Sequence, residues 1–340
     1  MKRLLSFLAC TALVLITGCG QSEPKQGTSP SSGTAPAAKK LSIALLPKSK
    51  GNQYFVTCEK GARTAAAELN AELKFDGPIN SDPAKQNEIV ENWITDGVDV
   101  IVAACENKDS ISTALKKAQS AGIKVVTYDA DAQPDARSFF VNQATAQGIG
   151  EQLIDTAAAL TGGEGEFAII TGTLTAANLN EWIKYIKERQ AAKYPNMKLV
   201  DTKPCDDQKD KAQQEATNLL SAYPNLKAII GVCSPSVPGA AEAIKQAGKT
   251  GAVKLVGLGL PSENRAYVKE GVTQAVILWN VEELGYLSVM AGAAVAKGEL
   301  VPGAKEFKAG KLGVKSVVGD NIILGKPFVF TKENIDQFDF

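Results

Sequence analysis

The chain has 340 residues, and its 37 Lys plus Arg are balanced by 37 Asp plus Glu, so no overall field draws it to nucleic acid. It contains no histidine. A Ser-His-Asp triad and a histidine-based zinc or copper site are thereby excluded, together with the commonest general base.

The first element is a leader. Lys2 and Arg3 precede a short apolar segment, Leu4 to Ile16, too short to span a bilayer, so cleavage is expected. The segment closes in Ile16-Thr17-Gly18-Cys19, which resembles a bacterial lipobox and implies a diacylated Cys19 as the first mature residue. Residues 1–18 are read as signal peptide and 19–40 as the lipidated cysteine and its linker. Gly20 to Lys40 is rich in Ser, Pro, Gly, Thr and Ala and cannot bury enough apolar surface to offset its ordering entropy. A stalk of this kind reaches roughly 25 Å. The expected location is extracytoplasmic, with the protein lipid-anchored to the cell membrane.

From Leu41 onward short apolar runs alternate with amphipathic segments. Strands are predicted at 41–47, 71–77, 98–105, 123–130, 166–173, 198–205, 226–233, 253–260 and 273–280. Their near-continuous apolar character suits parallel strands covered on both faces. Helical spacing fills the gaps: Phe55, Cys58, Ala62, Ala65, Ala66 and Leu69 share one face, and Ala114, Leu115 and Ala118 another before Gly122. The stretches 82–105 and 207–233 run in the same order and both end in cysteine, as two units built to one plan would. The fold class is therefore α/β, with two doubly wound, Rossmann-like parallel-sheet domains facing each other across a cleft. Cys58, Cys105, Cys205 and Cys233 form no CxxC pair and lie mostly in apolar runs, so they are read as buried free thiols. No metal site is expected.

In open parallel sheets ligands bind beyond the carboxyl ends of the strands, so the residues after each strand become site candidates. Asn52-Gln53-Tyr54-Phe55 follows the first strand; Asn52 can cap a helix, and adjacent aromatics cannot both face the core from a helix start, which points to stacking on a ligand. Lys48 also follows that strand. Asp129 and Asp131, in Tyr128-Asp129-Ala130-Asp131, follow a buried strand where a carboxylate needs partners. Asn178 and Asn180 open a helix, either as caps or as hydroxyl binders. Trp279-Asn280 ends a strand and suits stacking plus a hydrogen bond, and Ser234 borders the cleft. Gly257-Leu258-Gly259 lacks the third glycine of a dinucleotide loop. This mixture of amides, two carboxylates and aromatics suits a neutral polyhydroxylated ligand.

The passages LPKSKGNQYFVTCEKGA (45–61), FDGP (75–78), VTYDADAQPDARSFFVNQAT (126–145), NEWIKYIK (180–187) and FTKENIDQFDF (330–340) resemble the periplasmic sugar-binding proteins of ABC transporters, nearest the autoinducer-2 and rhamnose branch. The resemblance implies a type I binding protein with three hinge crossings. It puts 41–142 with 280–318 in the N-terminal domain and 143–279 with 319–340 in the C-terminal one. It also implies a monomer that closes on a ligand and docks on a membrane permease, without catalysis or cofactor. Autoinducer-2 proteins use a lysine and an aspartate that Lys48 and Asp129 match. They also use an acid and an amide where this chain has Asn178 and Leu179, and a proline and a small residue where it has Val232 and Ser234. Losing that amide leaves a buried ligand hydroxyl unpaired, at about 1–3 kcal/mol. A neutral monosaccharide or deoxysugar such as rhamnose is the expected ligand, with autoinducer-2 or another signal molecule as the alternative.

Overall fold

Alternating apolar strands and amphipathic helices build two sheets in the computed structural model, which describes residues 39–340. The leader, Cys19 and nearly all of the stalk lie outside the described residues. The chain first runs through β1 (Ser42–Leu46), α1 (Gln53–Glu68), β2 (Glu72–Phe75), α2 (Pro83–Asp96), β3 (Val100–Ala103), α3 (Lys108–Ser120), β4 (Lys124–Tyr128) and β5 (Phe139–Asn142). It then crosses to α4 (Ala146–Thr161), β6 (Gly165–Thr171), α5 (Ala177–Lys193), β7 (Met197–Pro204), α6 (Lys209–Ala222), β8 (Leu226–Gly231), α7 (Ser236–Gln246), β9 (Lys254–Leu258), α8 (Pro261–Lys269) and β10 (Ala275–Leu278). It returns as α9 (Val281–Lys297), β11 (Glu306–Lys308), β12 (Val314–Val318) and β13 (Asn321–Ile323), and crosses a last time into β14 (Phe328–Phe330).

The first sheet has the order β11-β12-β13-β5-β4-β3-β1-β2 and the second β14-β10-β9-β8-β6-β7. Strands β1 to β5 pair in parallel, as do β6 to β10. Every residue of β3 and β10 is buried, as strands covered on both faces require. Each lobe is thus a doubly wound α/β unit. Sheet membership moves one expected boundary: β13 pairs with β5, so the first lobe continues past 318 to Ile323, and the last crossing runs through 324–327.

Helix α9 joins the first lobe by crossing α1 at very short range. A Cβ on Gly61 would lie 1.7 Å from the Glu282 carbonyl oxygen, and one on Gly285 would lie 1.9 Å from that of Cys58. Only glycine permits that approach. The crossing sets both helix starts, each capped by an asparagine, beside the cleft. Cys58, Cys105, Cys205 and Cys233 are buried free thiols. Among the described residues no helix is long and apolar enough to cross a membrane.

Candidate functional site

The carboxyl ends of both sheets face one cavity of about 400 Å³, mouth included. From the first lobe come Lys48, Asn52, Tyr54, Phe55 and Asp129; the second lobe brings Asn178, Asp207 and Ser234, with Trp279 at the second crossing.

Lys48 leaves the end of β1, in a corner held by Gln86. That fully buried amide donates to the carbonyls of Pro47 and Ala104, each at 2.8 Å, and accepts from the Glu106 N–H at 3.0 Å, which ties the ends of β1 and β3 together. Four residues on, Asn52 caps α1 by accepting from the Tyr54 N–H at 3.0 Å. The cap sets the first turn so that Tyr54 and Phe55 both enter the cavity wall. The Tyr54 hydroxyl donates to Asp129 Oδ1 at 2.7 Å and accepts from Trp279 Nε1–H at 2.9 Å. Tyr54 and Trp279 meet edge to face at 6.2 Å, and Trp279 meets Trp182 at 6.0 Å, which makes a continuous aromatic wall.

Two carboxylates face each other across the cavity, one from each lobe, and both stand in left-handed backbone just beyond a strand. Asp129 has φ 60° after β4, and Asp207 has φ 54° after β7. Aspartate tolerates this region better than most residues, at a cost of about 1–2 kcal/mol. The turn swings each carboxylate away from the sheet axis and into the cleft. Gly172 makes room for the second, because a Cβ there would lie 2.7 Å from Asp207 Oδ1.

Electrostatically the site is one ammonium among three carboxylates. Burial alone would lower Lys48, but the charges of Glu106, Asp129 and Asp207 outweigh it and hold the ammonium above its ordinary value. Burial raises both Asp129 and Asp207, and Lys48 pulls each back down. Burial and the neighbouring Asp129 charge push the Tyr54 hydroxyl well up, so it stays a donor. Glu106, just outside the cavity, accepts from the Thr173 hydroxyl of the other lobe and leaves its buried Oε2 without a partner.

The lobes touch directly across the cleft. Lys48 Nζ donates to Asn178 Oδ1 at 3.3 Å, Asn52 Nδ2 to Ser234 Oγ at 3.0 Å, and Ser81 Oγ to Asp207 Oδ2 at 3.4 Å. This is a closed arrangement, and the same polar groups are available to a ligand that displaces those contacts.

Of the residues singled out from sequence, Lys48, Asn52, Tyr54, Phe55, Asp129, Asn178, Ser234 and Trp279 line the cavity. Asp131 does not. A tight turn in which the Ala130 N–H donates to the Tyr128 carbonyl at 2.6 Å separates it from Asp129. Its oxygens accept from Arg137 Nε at 2.9 Å, Arg137 Nη2 at 2.7 Å, Thr127 Oγ1 at 2.5 Å and the Ala132 N–H at 2.9 Å, so they are spent inside the fold. Asn180 is also outside; it is exposed and donates to the Leu174 carbonyl at 3.0 Å. Asn280 caps α9, accepting from the Glu283 N–H at 3.0 Å, and does not line the cavity. Sequence reasoning passed over Asp207, Trp182, Leu258 and Leu278, while Leu179 and Val232, which complete the apolar set, had entered only as the residues at two ligand positions of the autoinducer-2 proteins. The position of Asp207 just beyond β7, mirroring Asp129 beyond β4, was the available signal. Leu258 and Leu278 end buried strands and read in sequence as ordinary core.

Among proteins of known family, residues 43–300 match the periplasmic binding protein domain. The chain belongs to that family. It is 31% identical to the D-ribose/D-allose-binding protein of Pseudomonas aeruginosa over 283 residues, 80% of this chain and 85% of that protein. A solute-binding protein from Clostridium phytofermentas, solved with bound L-rhamnose, superposes with a TM-score of 0.85 at 30% identity, over 89% of this chain and 99% of its own. LsrB from Clostridium saccharobutylicum, solved with AI-2, has a TM-score of 0.84 at 23% identity, covering 88% and 100%, and shares the fold. The two-lobed architecture is that of the family, and its cleft is the cavity described above.

Proposed function

We propose that the protein is an extracytoplasmic substrate-binding lipoprotein that captures a neutral monosaccharide or deoxysugar by hinge closure and delivers it to an ABC transporter permease. The observation that carries this reading is the pair Asp129 and Asp207, one from each lobe, lining one aromatic-walled cavity together with Lys48, whose ammonium both carboxylates stabilise. Carboxylates accept from ligand hydroxyls, Lys48 and the amides of Asn52 and Asn178 donate to ligand oxygens, and the Tyr54–Trp279–Trp182 wall covers a C–H face. Three carboxylates beside one ammonium suit hydroxyl donors and repel an anionic ligand. No step of bond making is involved: ligand that bridges the lobes shifts the population toward the closed form. Cys19 would carry the lipid and residues 20–40 the stalk.

The apolar set of Leu179, Val232, Leu258 and Leu278 supports a deoxysugar, because a methyl group satisfies such a wall and a hydroxymethyl does not. Calorimetric titration with L-rhamnose and with L-mannose, which differ only in that group, tests the point. A hydroxyl buried without a partner costs about 1–3 kcal/mol, so rhamnose should bind about 5- to 150-fold tighter. Equal affinity, or a preference for mannose, would refute the apolar subsite. The pairing of Lys48 with Asp129 favours autoinducer-2 as the second reading, so that ligand belongs in the same titration; Leu179 removes an amide which that reading needs.

A further inference from the structure

We infer that Cys205 and Cys233 are a redox pair in the wall of the ligand cleft, which closes to a disulfide by thiol–disulfide exchange and weakens ligand binding when it does so. The effect on binding rests on the function proposed above; the pairing itself does not.

The two cysteines are brought together by sheet order. Strands β7 and β8 flank β6, so the segments beyond their carboxyl ends run side by side over the end of β6. The Cys205 N–H donates to the Thr171 carbonyl and the Val232 N–H to the Ile170 carbonyl, each at 2.8 Å, which fixes both segments to the same strand. The sulfurs lie 3.4 Å apart, 28 residues apart in sequence. A modest rotation of either side chain closes that gap to a bond of about 2.05 Å. The remaining thiols do not compete: Cys58 lies in α1 of the other lobe, and Cys105 points at the Ala103 carbonyl.

Access to chemistry is one-sided. Cys205 is fully buried, whereas Cys233 lines the cavity. Burial pushes the Cys233 thiol well up, so the closed cleft keeps it protonated and unreactive. Opening the lobes solvates Cys233 alone. Its thiolate then attacks the disulfide of a small disulfide or a disulfide oxidoreductase, forming a mixed disulfide and releasing one thiolate. Cys205 then attacks the Cys233 sulfur and expels the second thiolate, which takes up the Cys205 proton as it leaves. Two protein thiols are oxidised and one partner disulfide is reduced to two thiols. Oxidising compartments outside the cytoplasm supply such partners.

The consequence for the ligand runs through Asp207. Cys233 and Asp207 line the same cavity wall, and the Cys233 thiol helps hold that carboxylate ionised against the burial that raises it. A disulfide has no proton to share with Asp207, and forming it shifts the wall to which Asp207 belongs. Loss of one hydrogen-bond donor at the site corresponds to roughly fivefold in affinity.

The test uses the full chain exported into a bacterial periplasm. It is purified, divided, and treated with excess oxidised glutathione or with reductant. Free thiols are then alkylated under denaturing conditions and the peptides mapped by mass spectrometry. The expected result is a crosslinked peptide pair joining Cys205 to Cys233 in the oxidised sample, reversed by reductant and absent from Cys205→Ala, with Cys58 and Cys105 alkylated throughout. Saturating L-rhamnose should slow the crosslinking by keeping the cleft shut, and an unchanged rate at saturation would overturn the claim that opening exposes Cys233. Full alkylation of both cysteines after oxidation, or crosslinks to Cys58 or Cys105 instead, would overturn the pairing. Calorimetry with L-rhamnose should give a dissociation constant roughly fivefold higher for the oxidised protein; equal constants in the two states would overturn the coupling. If no monosaccharide binds in either state the sugar reading falls, and the peptide map still decides the pair.

Discussion

Replacing Asp129 by alanine separates a binding role from a structural one, because the two oxygens of its carboxylate do different work. Tyr54 takes Oδ1 at 2.7 Å, and among the described residues no hydrogen bond takes Oδ2, which is left for a ligand hydroxyl. A hydrogen bond to a charged group contributes about 1.5–3 kcal/mol, so Asp129→Ala should weaken sugar binding about 10- to 150-fold. The fold suffers separately. The Tyr54 hydroxyl keeps its bond from Trp279 but loses its acceptor, at about 1–3 kcal/mol. Lys48 keeps Asp207 and Glu106 as counter-charges, so the cluster does not collapse. Calorimetric titration of wild type and variant reads the first quantity, and urea denaturation without ligand reads the second. A variant that binds within about threefold of wild type while folding normally would refute the assignment of Asp129 to the ligand.

Asp131→Ala should behave in the opposite way: Arg137, whose side chain is 3% exposed, loses its two-pronged partner and keeps only Asp320, so stability should drop by about 3 kcal/mol with sugar affinity nearly unchanged. A tenfold loss of affinity from that variant at full stability would contradict the placement of Asp131 outside the site. Gly61→Ala forces a methyl into the Glu282 carbonyl and should cost about 3 kcal/mol in chemical denaturation; a neutral effect would show that α1 and α9 are not so closely packed. Burial raises Asp129 and Asp207 in the closed cleft, so the closed form binds more protons than an open form with solvated carboxyls. The charge penalty on closure is present at neutral pH and is relieved as pH falls through the raised values toward the ordinary value of about 4. Without ligand, the radius of gyration from small-angle scattering should therefore shrink as pH falls from about 7 to about 4.5. A constant or growing radius would refute that reading.

What sequence disclosed follows from how strongly each feature is forced. The nine apolar runs all became strands, with ends shifted by two residues at most; the interior ones are buried on both faces, where a strand admits little else, and β2 and β7 at the sheet edges are partly exposed. Strand β5, quoted only as part of a longer passage, is four residues long, β11 to β13 are short, partly exposed and mixed in polarity, and β14 is only three residues; periodicity carries almost no signal there. Lys48, Tyr54, Phe55, Asp129 and Trp279 were legible in the cavity wall because each directly follows a strand or opens a helix there. Asp131 was misplaced because alternation along the chain does not reveal the tight turn at Ala130, nor that Arg137 waits six residues on. Asn280 was misplaced because an asparagine that only caps a helix and one that also lines a cavity look alike in sequence; Asn52 caps α1 and lines the cavity. Asp207 was missed because Asp206-Asp207-Gln208 reads as a polar lead into α6, and only the left-handed backbone turns its carboxylate inward.

The central claim is that the cleft takes a neutral monosaccharide, and a thermal-shift screen of residues 39–340 against monosaccharides, deoxysugars, polyols and autoinducer-2 tests it most directly. A ligand at a thousand times its dissociation constant stabilises by about 4 kcal/mol, a rise of several degrees. The account predicts that rise with one neutral sugar, a deoxysugar foremost, and its loss in Asp129→Ala. A rise with autoinducer-2 alone, or silence across the whole panel, would contradict it.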